Sequence, residues 1–209
     1  MSAGFVTLQD PKKIDKVRYI MSKTFDFNID RKSKLKIIHI TNFNQRYFGR
    51  LHFNTGTRIN NGFIREGHNV LSLSDRDLVS YTKNIGDLSG TKYLNRLIEN
   101  TIVNFMPDIV ILGHADKVKH ETLLMAKNKF PNLKICQWFL DPLSKKGPDY
   151  EKNKLRILDK SSVCDSTFIT TSPDALDFKI KNAFYMPNPC DKSLDYLMNF
   201  NKSQEYDLF

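Results

Sequence analysis

The sequence lacks the long apolar runs that mark membrane or secreted proteins. No stretch of about 18 consecutive apolar residues occurs among its 209 residues, so nothing in it predicts a membrane-spanning helix. The opening stretch, MSAGFVTLQDPKK, has no apolar centre of a secretory signal peptide. At 40% apolar and 11% aromatic residues, the composition also differs from that of disordered chains. The length predicts one large domain or two small ones.

Cysteines and catalytic signatures are equally scarce. The three cysteines, Cys136, Cys164 and Cys190, form no CxxC pair, which argues against a zinc site and favours a reducing cytoplasm. Neither GxGxxG nor GxxxxGK[ST] follows the first apolar strand, which argues against a nicotinamide enzyme and a P-loop ATPase. The nucleophile elbow GxSxG and the zinc-protease motif HExxH are missing as well.

Charge is abundant and unevenly placed. The net charge is +9, and residues 1–50 hold eleven Lys and Arg against four Asp. Such a surface attracts phosphates, anionic lipid or nucleic acid, although a solvated Lys-rich face explains it equally well. Within PKKIDKVRYIMS, Ile14, Val17 and Met21 recur at helical spacing, which predicts a short amphipathic helix on a membrane or on its own domain. We therefore treat residues 1–33 as a basic N-terminal extension.

From residue 34 onward, apolar runs of strand length alternate with helical patterns. The strands are apolar throughout, which is typical of a parallel sheet covered by helices on both faces. The predicted strands are Leu35–Ile40, His68–Ser74, Asp108–His114, Lys134–Asp141, Ser166–Thr171 and Ala183–Pro187. The predicted helices are Thr55–Glu66, Thr91–Phe105, Lys117–Phe130, Asp149–Lys160 and one that starts at Ser172. Right-handed crossovers make this a doubly wound, Rossmann-like α/β domain over residues 34–187.

Two titratable residues stand where predicted strands end. In open parallel sheets, ligands bind at the carboxyl ends of the strands. His114 ends the third strand, and Asp141 ends the fourth in the stretch ICQWFLDP. Both are candidates for a general base. The alternatives are that His114 caps the next helix or bonds a neighbouring loop, and that Asp141 caps a turn or pairs with Lys145 or Lys146.

The loop after the first strand combines amides, guanidinium groups and an aromatic ring around a glycine. Such groups recognise sugars or phosphates, and glycine lets the backbone approach a ligand closely. An ordinary polar surface loop is the equal alternative. Trp138 and His39 lie within apolar strands and are predicted to be structural. The candidate binding residues of the loop are Asn42, Asn44, Arg46, Gly49 and Arg50.

Several stretches, in this order, resemble the GT-B glycosyltransferases. KIIHITNFNQRYFG and TGTRINNGFIREGHNVLSLSDRD are similar to their opening strand, glycine-containing loop, helix and second strand. PDIVILGHAD and KICQWFLDP resemble strands of the spore-maturation-type and polysaccharide enzymes. DSTFITTSPDAL and FYMPNPCD are similar to later segments, the last of which leads into the interdomain linker. The resemblance covers residues 34–209.

The resemblance implies the acceptor half of a two-domain enzyme. In this family the N-terminal Rossmann-like domain holds the acceptor and often the base, and the C-terminal domain holds the nucleotide-sugar donor. Residues 188–209 would be the interdomain linker and the truncated start of a donor domain, so a donor-domain partner chain is expected. Catalysis would use neither a cofactor nor a metal. His114 or Asp141 would be the base, and the Asn42–Arg50 loop would shape the acceptor pocket.

The resemblance also implies partners and a location. The acceptor would be a glycan or glycolipid of the cell envelope, and the basic extension would meet anionic lipid at the cytoplasmic face of the cell membrane. Nucleic acid is not expected, because no basic-aromatic motif of a recognised kind appears. The competing hypothesis is a non-catalytic Rossmann-like module that binds a glycan or a protein.

Overall fold

A computed structural model of the protein describes residues 33–196 and 203. The chain divides into two units, Met1–Ser33 and Lys34–Phe209, and the second contains the sheet and its helices. The amphipathic helix predicted within residues 11–22 lies outside the described residues. So does most of the segment predicted as a linker and donor-domain start.

The described residues form one six-stranded, all-parallel sheet with the order β2-β1-β3-β4-β5-β6. Helices flank this sheet, and the predicted doubly wound α/β fold is confirmed. The strands are β1 (Lys36–Thr41), β2 (Asn69–Ser74), β3 (Ile109–Gly113), β4 (Lys134–Phe139), β5 (Ser166–Ile169) and β6 (Ala183–Tyr185). The helices are α1 (Thr55–Arg65), α2 (Asp75–Thr82), α3 (Thr91–Phe105), α4 (His120–Lys129) and α5 (Tyr150–Ser161).

The predicted regular alternation of strand and helix is wrong at two places. The sequence does not predict helix α2, because its inward face carries Asp75 and Asp77 where an apolar stripe would be expected. The helix predicted to start at Ser172 is only a 3-10 turn, Pro173–Ala175, and the Ser172 side chain makes no capping hydrogen bond.

The segment after that turn packs as an extended chain. Leu176, Phe178 and Ile180 all contact the core cluster around Phe139 and Ile157. Their spacing of two is the period of extended backbone, in which alternate side chains share a face. The alternating apolar residues after Ser172 therefore favour an extended chain, and this preference outweighs the helix-start signal at Ser172.

Two apolar clusters hold the layers together. The larger joins buried residues of β1, β3 and β4 to one face of α3 and α4, and it includes the α3 stripe Leu94, Ile98 and Ile102. The smaller lies under α5 and contains Phe139 and Ile157. Within residues 33–196, no helix combines the length and hydropathy that crossing a bilayer requires.

The topological switch point of the sheet lies between β1 and β3. The chain adds β2 on one side of β1 and all later strands on the other side. Strands β1 and β3 are neighbours, with Thr41 paired to Gly113, while β2 lies on the other side of β1. Crevices at such switch points are where doubly wound sheets bind ligands. A Cβ on Gly113 would approach Cζ2 of Trp138 to 2.0 Å. Only glycine therefore lets the indole cover the end of β3.

Residues 188–196 return to α1. Arg65 forms an ion pair with the buried Asp191, and Nη2 of Arg58 lies 2.7 Å from Oδ1 of Asp195. The Arg65 guanidinium, hydrogen-bonded to the carboxylate, holds the pKa of Asp191 well below its usual range. These contacts fix the described start of the predicted linker against the α1 face.

Candidate functional site

His114 lies immediately after β3 with a left-handed backbone (φ 49°). Its ring stacks on Phe139, with the ring centroids 4.4 Å apart and the planes 8° from parallel. The backbone N–H of Leu140 donates to Nε2 at 3.3 Å. Burial lowers the pKa of His114 below its ordinary value, even though the nearby Asp141 carboxylate acts in the opposite direction. The imidazole is therefore neutral at pH 7.

The hydrogen-bond network decides which nitrogen of that ring carries the proton. Because Nε2 accepts from Leu140, we assign the proton of the neutral ring to Nδ1. Nδ1 lies 3.6 Å from Oδ2 of Asp141 and 3.3 Å from Nη2 of Arg156, a donor whose nearer acceptor is Oδ1 of Asp116 at 2.8 Å. In the other tautomer Nδ1 would accept from Arg156, so in either tautomer the unprotonated nitrogen faces a protein donor and His114 has no free lone pair to offer a substrate.

Asp141 lies two residues beyond the end of β4, beside His114. Its side chain is 42% exposed, and Nη1 of Arg156 lies 3.3 Å from Oδ2. The alternative pairing with Lys145 is wrong, since Lys145 pairs with Asp177 at 3.0 Å. Among the residues that the structure describes, no group donates to Oδ1 of Asp141. The carboxylate is thus held on one oxygen and open on the other.

Arg156 connects the groups of this site. From α5 it donates to Oδ1 of Asp116 at 2.8 Å as well as to Asp141, and its guanidinium lies 5.6 Å from the Phe139 ring centroid. Nη2 of Arg76 donates to the other Asp116 oxygen at 2.6 Å. Burial alone would raise the pKa of Asp116, but the two arginines outweigh it and hold that pKa below its ordinary value.

A cavity of about 300 Å³ opens beside these groups, between the ends of β3 and β4 and the inner face of α5. His114 and Arg156 line it, so Asp141 stands next to the cavity through its contacts with both. Trp138 and Phe139 supply aromatic walls, and Asp159 and Lys160 supply charge that is paired at 2.6 Å. The arrangement combines aromatic walls with several carboxylates, of which Asp141 is the one that lies beside His114 at 3.6 Å.

The loop after β1 is organised by a single buried carboxylate. Asp77 accepts from the backbone N–H of Gln45 and from Nη1 of Arg46, both at 2.7 Å, and from the hydroxyl of Ser74. Burial by itself would raise the pKa of Asp77, but these hydrogen bonds lower it below its ordinary value. Arg46 also donates to Oδ1 of Asn42 at 3.3 Å. Two of the candidate binding residues thus serve the loop itself.

The other candidates of this loop are placed differently. Asn44 and Gly49 line a second cavity of about 450 Å³, which does not include His114 among its walls. Nδ2 of Asn42 donates to Oδ1 of Asn44 at 2.8 Å. Arg50 lies over the Tyr47 ring, 5.6 Å from its centroid. The candidates therefore share the carboxyl edge of the sheet, but His114 lines the first cavity, Asn44 and Gly49 line the second, and the others are not among the wall residues of either.

Trp138 and His39 are buried, as predicted. Nε1–H of Trp138 donates to Nε2 of His39 at 3.2 Å, and Nδ1 of His39 lies 3.1 Å from Oδ1 of Asn60. Burial lowers the pKa of His39 to about 4, against the opposing effect of the Asn60 hydrogen bond. This neutral pair ties β1 to β4 beneath the site.

Sequence reasoning missed Arg156, Asp75 and Asp77. The pattern of α5 predicts a charged surface helix, and nothing in it distinguishes Arg156 from the other charged residues. Asp75-Arg76-Asp77 has the DxD spacing of metal-binding transferases, a signal that the sequence does carry. The structure uses these residues otherwise: Arg46 neutralises Asp77, and Asp75 is buried with neither oxygen hydrogen-bonded. No three His, Cys, Asp or Glu side chains within residues 33–196 cluster as metal ligands.

Comparison with known proteins does not identify a family for this chain. No protein-family model matches it, and no curated protein matches its sequence. The geometry of its own residues is therefore the basis on which a function can be proposed.

Proposed function

We propose that the chain is the acceptor-binding half of a metal-independent GT-B glycosyltransferase. In this proposal it moves a sugar from a nucleotide-sugar to a polysaccharide or cell-envelope acceptor on the cytoplasmic side. Asp141 is the general base, and His114 positions it. The observation that carries the proposal is the His114–Asp141 pair, 3.6 Å apart at the carboxyl edge of a parallel sheet and next to an aromatic-walled cavity.

The proposed step is a proton transfer coupled to sugar transfer. An acceptor hydroxyl gives its proton to Asp141 while the hydroxyl oxygen forms a bond to the anomeric carbon. The bond from that carbon to the nucleotide phosphate breaks, and its electrons leave with the phosphate. Asp141 is better placed than His114 because no described residue donates to its Oδ1, whereas both imidazole nitrogens face protein donors. The Nδ1 proton of His114 and the charge of Arg156 then orient the carboxylate.

The charges at the edge of the sheet support an acceptor half rather than a donor half. A departing nucleotide phosphate needs unpaired cations or free backbone amides. On the loop and helix that follow β1, Arg46 is already neutralised by Asp77 and Arg58 by Asp195, while Arg50 lies over the Tyr47 ring. Arg156 is likewise shared between Asp116 and Asp141. A second domain or partner chain would therefore hold the nucleotide-sugar.

Binding and turnover test the proposal separately. Titrating the chain with short oligosaccharides should perturb the NMR resonances of His114, and nucleotide-sugars alone should not. After a donor-domain partner restores transfer, Asp141→Asn should lower turnover about a hundredfold or more. Asp174→Asn, which removes the same charge from an exposed turn, is the matched control and should keep full activity. Unchanged turnover in Asp141→Asn refutes the assigned base.

The second cavity favours one other function, a glycan-binding module without catalysis. Its walls include Asn44, Gln45, Asn60 and Asn61, and His52 is the one ionisable residue among the described residues that line it. Amides hydrogen-bond neutral hydroxyl groups in both directions, which suits an uncharged saccharide. If glycans bind and no donor domain yields transfer, this function replaces the first.

A further inference from the structure

The loop between β1 and α1 exposes apolar side chains at an unusual density. Phe48 is 99% exposed, Phe53 is 62% exposed and Leu51 is 43% exposed. Single exposed apolar residues are common on protein surfaces, but three within six positions form a patch. We call residues 47–53 the aromatic tip. A side chain exposed as fully as Phe48 has no wall beside it, so the patch is convex.

The backbone holds the aromatic tip in this outward conformation. Phe48 is left-handed (φ 52°), which is rare for a bulky residue and marks a conformation fixed by its surroundings. Backbone N–H groups close successive turns, from Phe48 to Gln45 at 3.1 Å and from His52 to Gly49 at 3.0 Å. Nδ2 of Asn54 donates to the carbonyl of Leu51 at 2.8 Å. Exposure of Phe48 is thus built into the loop.

The charge around the aromatic tip has one sign. No Asp or Glu occurs from Asn42 to Arg65 in the sequence. Arg46 is neutralised from outside the loop by Asp77. Arg50 lies over the Tyr47 ring and has no ion pair among the described residues. The tip therefore presents apolar rings with an unneutralised guanidinium beside them.

We infer that the aromatic tip docks on the headgroup region of an anionic lipid bilayer. Phe48 and Phe53 would enter the boundary between headgroups and acyl chains, and Arg50 would meet lipid phosphates. A convex apolar point fits a deformable lipid surface, whereas a glycan is usually held in a concave site. This contact goes beyond the proposed transfer reaction and does not depend on it. Its result would be to hold the carboxyl edge of the sheet close to a membrane.

Vesicle flotation of the full chain tests the inference without any sugar substrate. Phosphatidylcholine vesicles with about one third phosphatidylglycerol should bind the wild type, and pure phosphatidylcholine vesicles should bind it much less. Phe48→Ser should weaken binding about tenfold, since a buried aromatic ring is lost. Arg50→Gln should weaken it about fivefold and reduce its salt dependence. The basic N-terminal residues are the same in all variants, so the differences report on the tip alone.

A matched control and a direct probe complete the test. Met125→Ser removes an exposed apolar side chain from α4, beside Lys127 and Lys129, and should leave vesicle binding unchanged. In Phe48→Trp, brominated lipid should quench the added fluorescence, while the buried Trp138 stays unquenched.

Three results would overturn the inference. Phe48→Ser could bind vesicles as tightly as the wild type. The wild type could bind single-stranded oligonucleotides through Phe48 and not bind vesicles. Phe48→Ser could abolish self-association in gel filtration with no change in vesicle binding. Loss of vesicle binding with intact sugar transfer, or the reverse, separates this inference from the proposed function.

Discussion

The loop after β1 and the loops after β3 and β4 lie at the same edge of the sheet. They differ in how far protein donors already satisfy their carboxylates. In the first loop, Arg46 and the amide of Asn42 are tied into a network around the buried Asp77. At the other loops, Asp141 has one oxygen without a donor within residues 33–196, and 42% of its side chain is exposed beside a cavity. Both regions contain carboxylate–arginine pairs, but among the described residues both oxygens of Asp77 accept from protein donors, whereas only one oxygen of Asp141 does.

This difference shows what makes a polar residue at a strand end a candidate for function. Residue type alone selects Arg46 and Asp141 equally. The distinction lies in whether the hydrogen-bonding capacity of the group is already used inside the protein. Asp77 accepts from Gln45, Arg46 and Ser74, so its region is a scaffold. Removing a scaffold carboxylate should destabilise the fold, and removing a site carboxylate should not.

The largest expected effect is the loss of Asp77. Asp77→Ala leaves Arg46 and the Gln45 amide without their acceptor, and breaking a buried pair in this way typically costs about 3–5 kcal/mol. Urea denaturation should show that loss in the free energy of unfolding. The exposed Asp174→Ala is the control and should change it by less than about 0.5 kcal/mol. Equal stability of the two variants would remove the distinction between scaffold and site.

The next largest effect comes from Asp75, which neighbours the scaffold but has no hydrogen-bond partner in the part of the chain that the structure describes. Burial raises its pKa to about 6 from the ordinary 3.8, partly offset by nearby backbone amides that do not reach hydrogen-bond geometry. The native state therefore keeps a proton that the unfolded chain has lost between these pH values. Stability due to this group falls as pH rises from about 4 to about 6.

Asp75→Asn should remove that pH dependence. At pH 7.5 the variant should be more stable than the wild type by about 2 kcal/mol, since a buried charge is replaced by a neutral amide that is still unpaired. At about pH 3, where wild-type Asp75 is protonated in both states, the advantage should vanish. Unfolding curves at the two pH values measure both numbers. A constant difference between the variants at all pH values would show that burial of charge is not the cause.

The smallest effect on stability is expected at the site itself. Asp141→Asn removes a half-exposed partner of Arg156, and such ion pairs contribute about 0–1 kcal/mol. The free energy of unfolding should therefore fall by less than about 1 kcal/mol. A loss as large as that of Asp77→Ala would place Asp141 in the scaffold and count against its proposed role as a base.

The sheet could be predicted from the sequence because its signals are local. Apolar runs of five or six residues mark β1, β3 and β4, and the stripe of Leu94, Ile98 and Ile102 marks α3. Helix α2 could not be predicted, because its buried positions hold Asp75 and Asp77 instead of apolar residues. Whether a buried carboxylate is paired depends on tertiary contacts, which the local sequence does not show.

The site could be predicted only in part. The strand-end rule selects His114 and Asp141, and the structure brings them within 3.6 Å. The same rule selects Arg46, but Asp77, its partner, lies 31 residues further along the chain. Arg156 could not be found, because only folding brings α5 over the ends of β3 and β4. Local patterns indicate where polar groups emerge, and tertiary contacts decide which of them remain available.

The tautomer of His114 is the decisive observable, because it determines whether the ring can direct a proton at Asp141 and so position that carboxylate. A long-range ¹H–¹⁵N NMR correlation at pH 7, assigned with the His114→Gln variant, distinguishes the two ring nitrogens. We predict a neutral ring with its proton on Nδ1 and with Nε2 bonded to the Leu140 amide. A proton on Nε2 instead would turn the Nδ1 lone pair toward Arg156 and leave His114 no proton to direct at Asp141, which would contradict its proposed role in positioning that carboxylate.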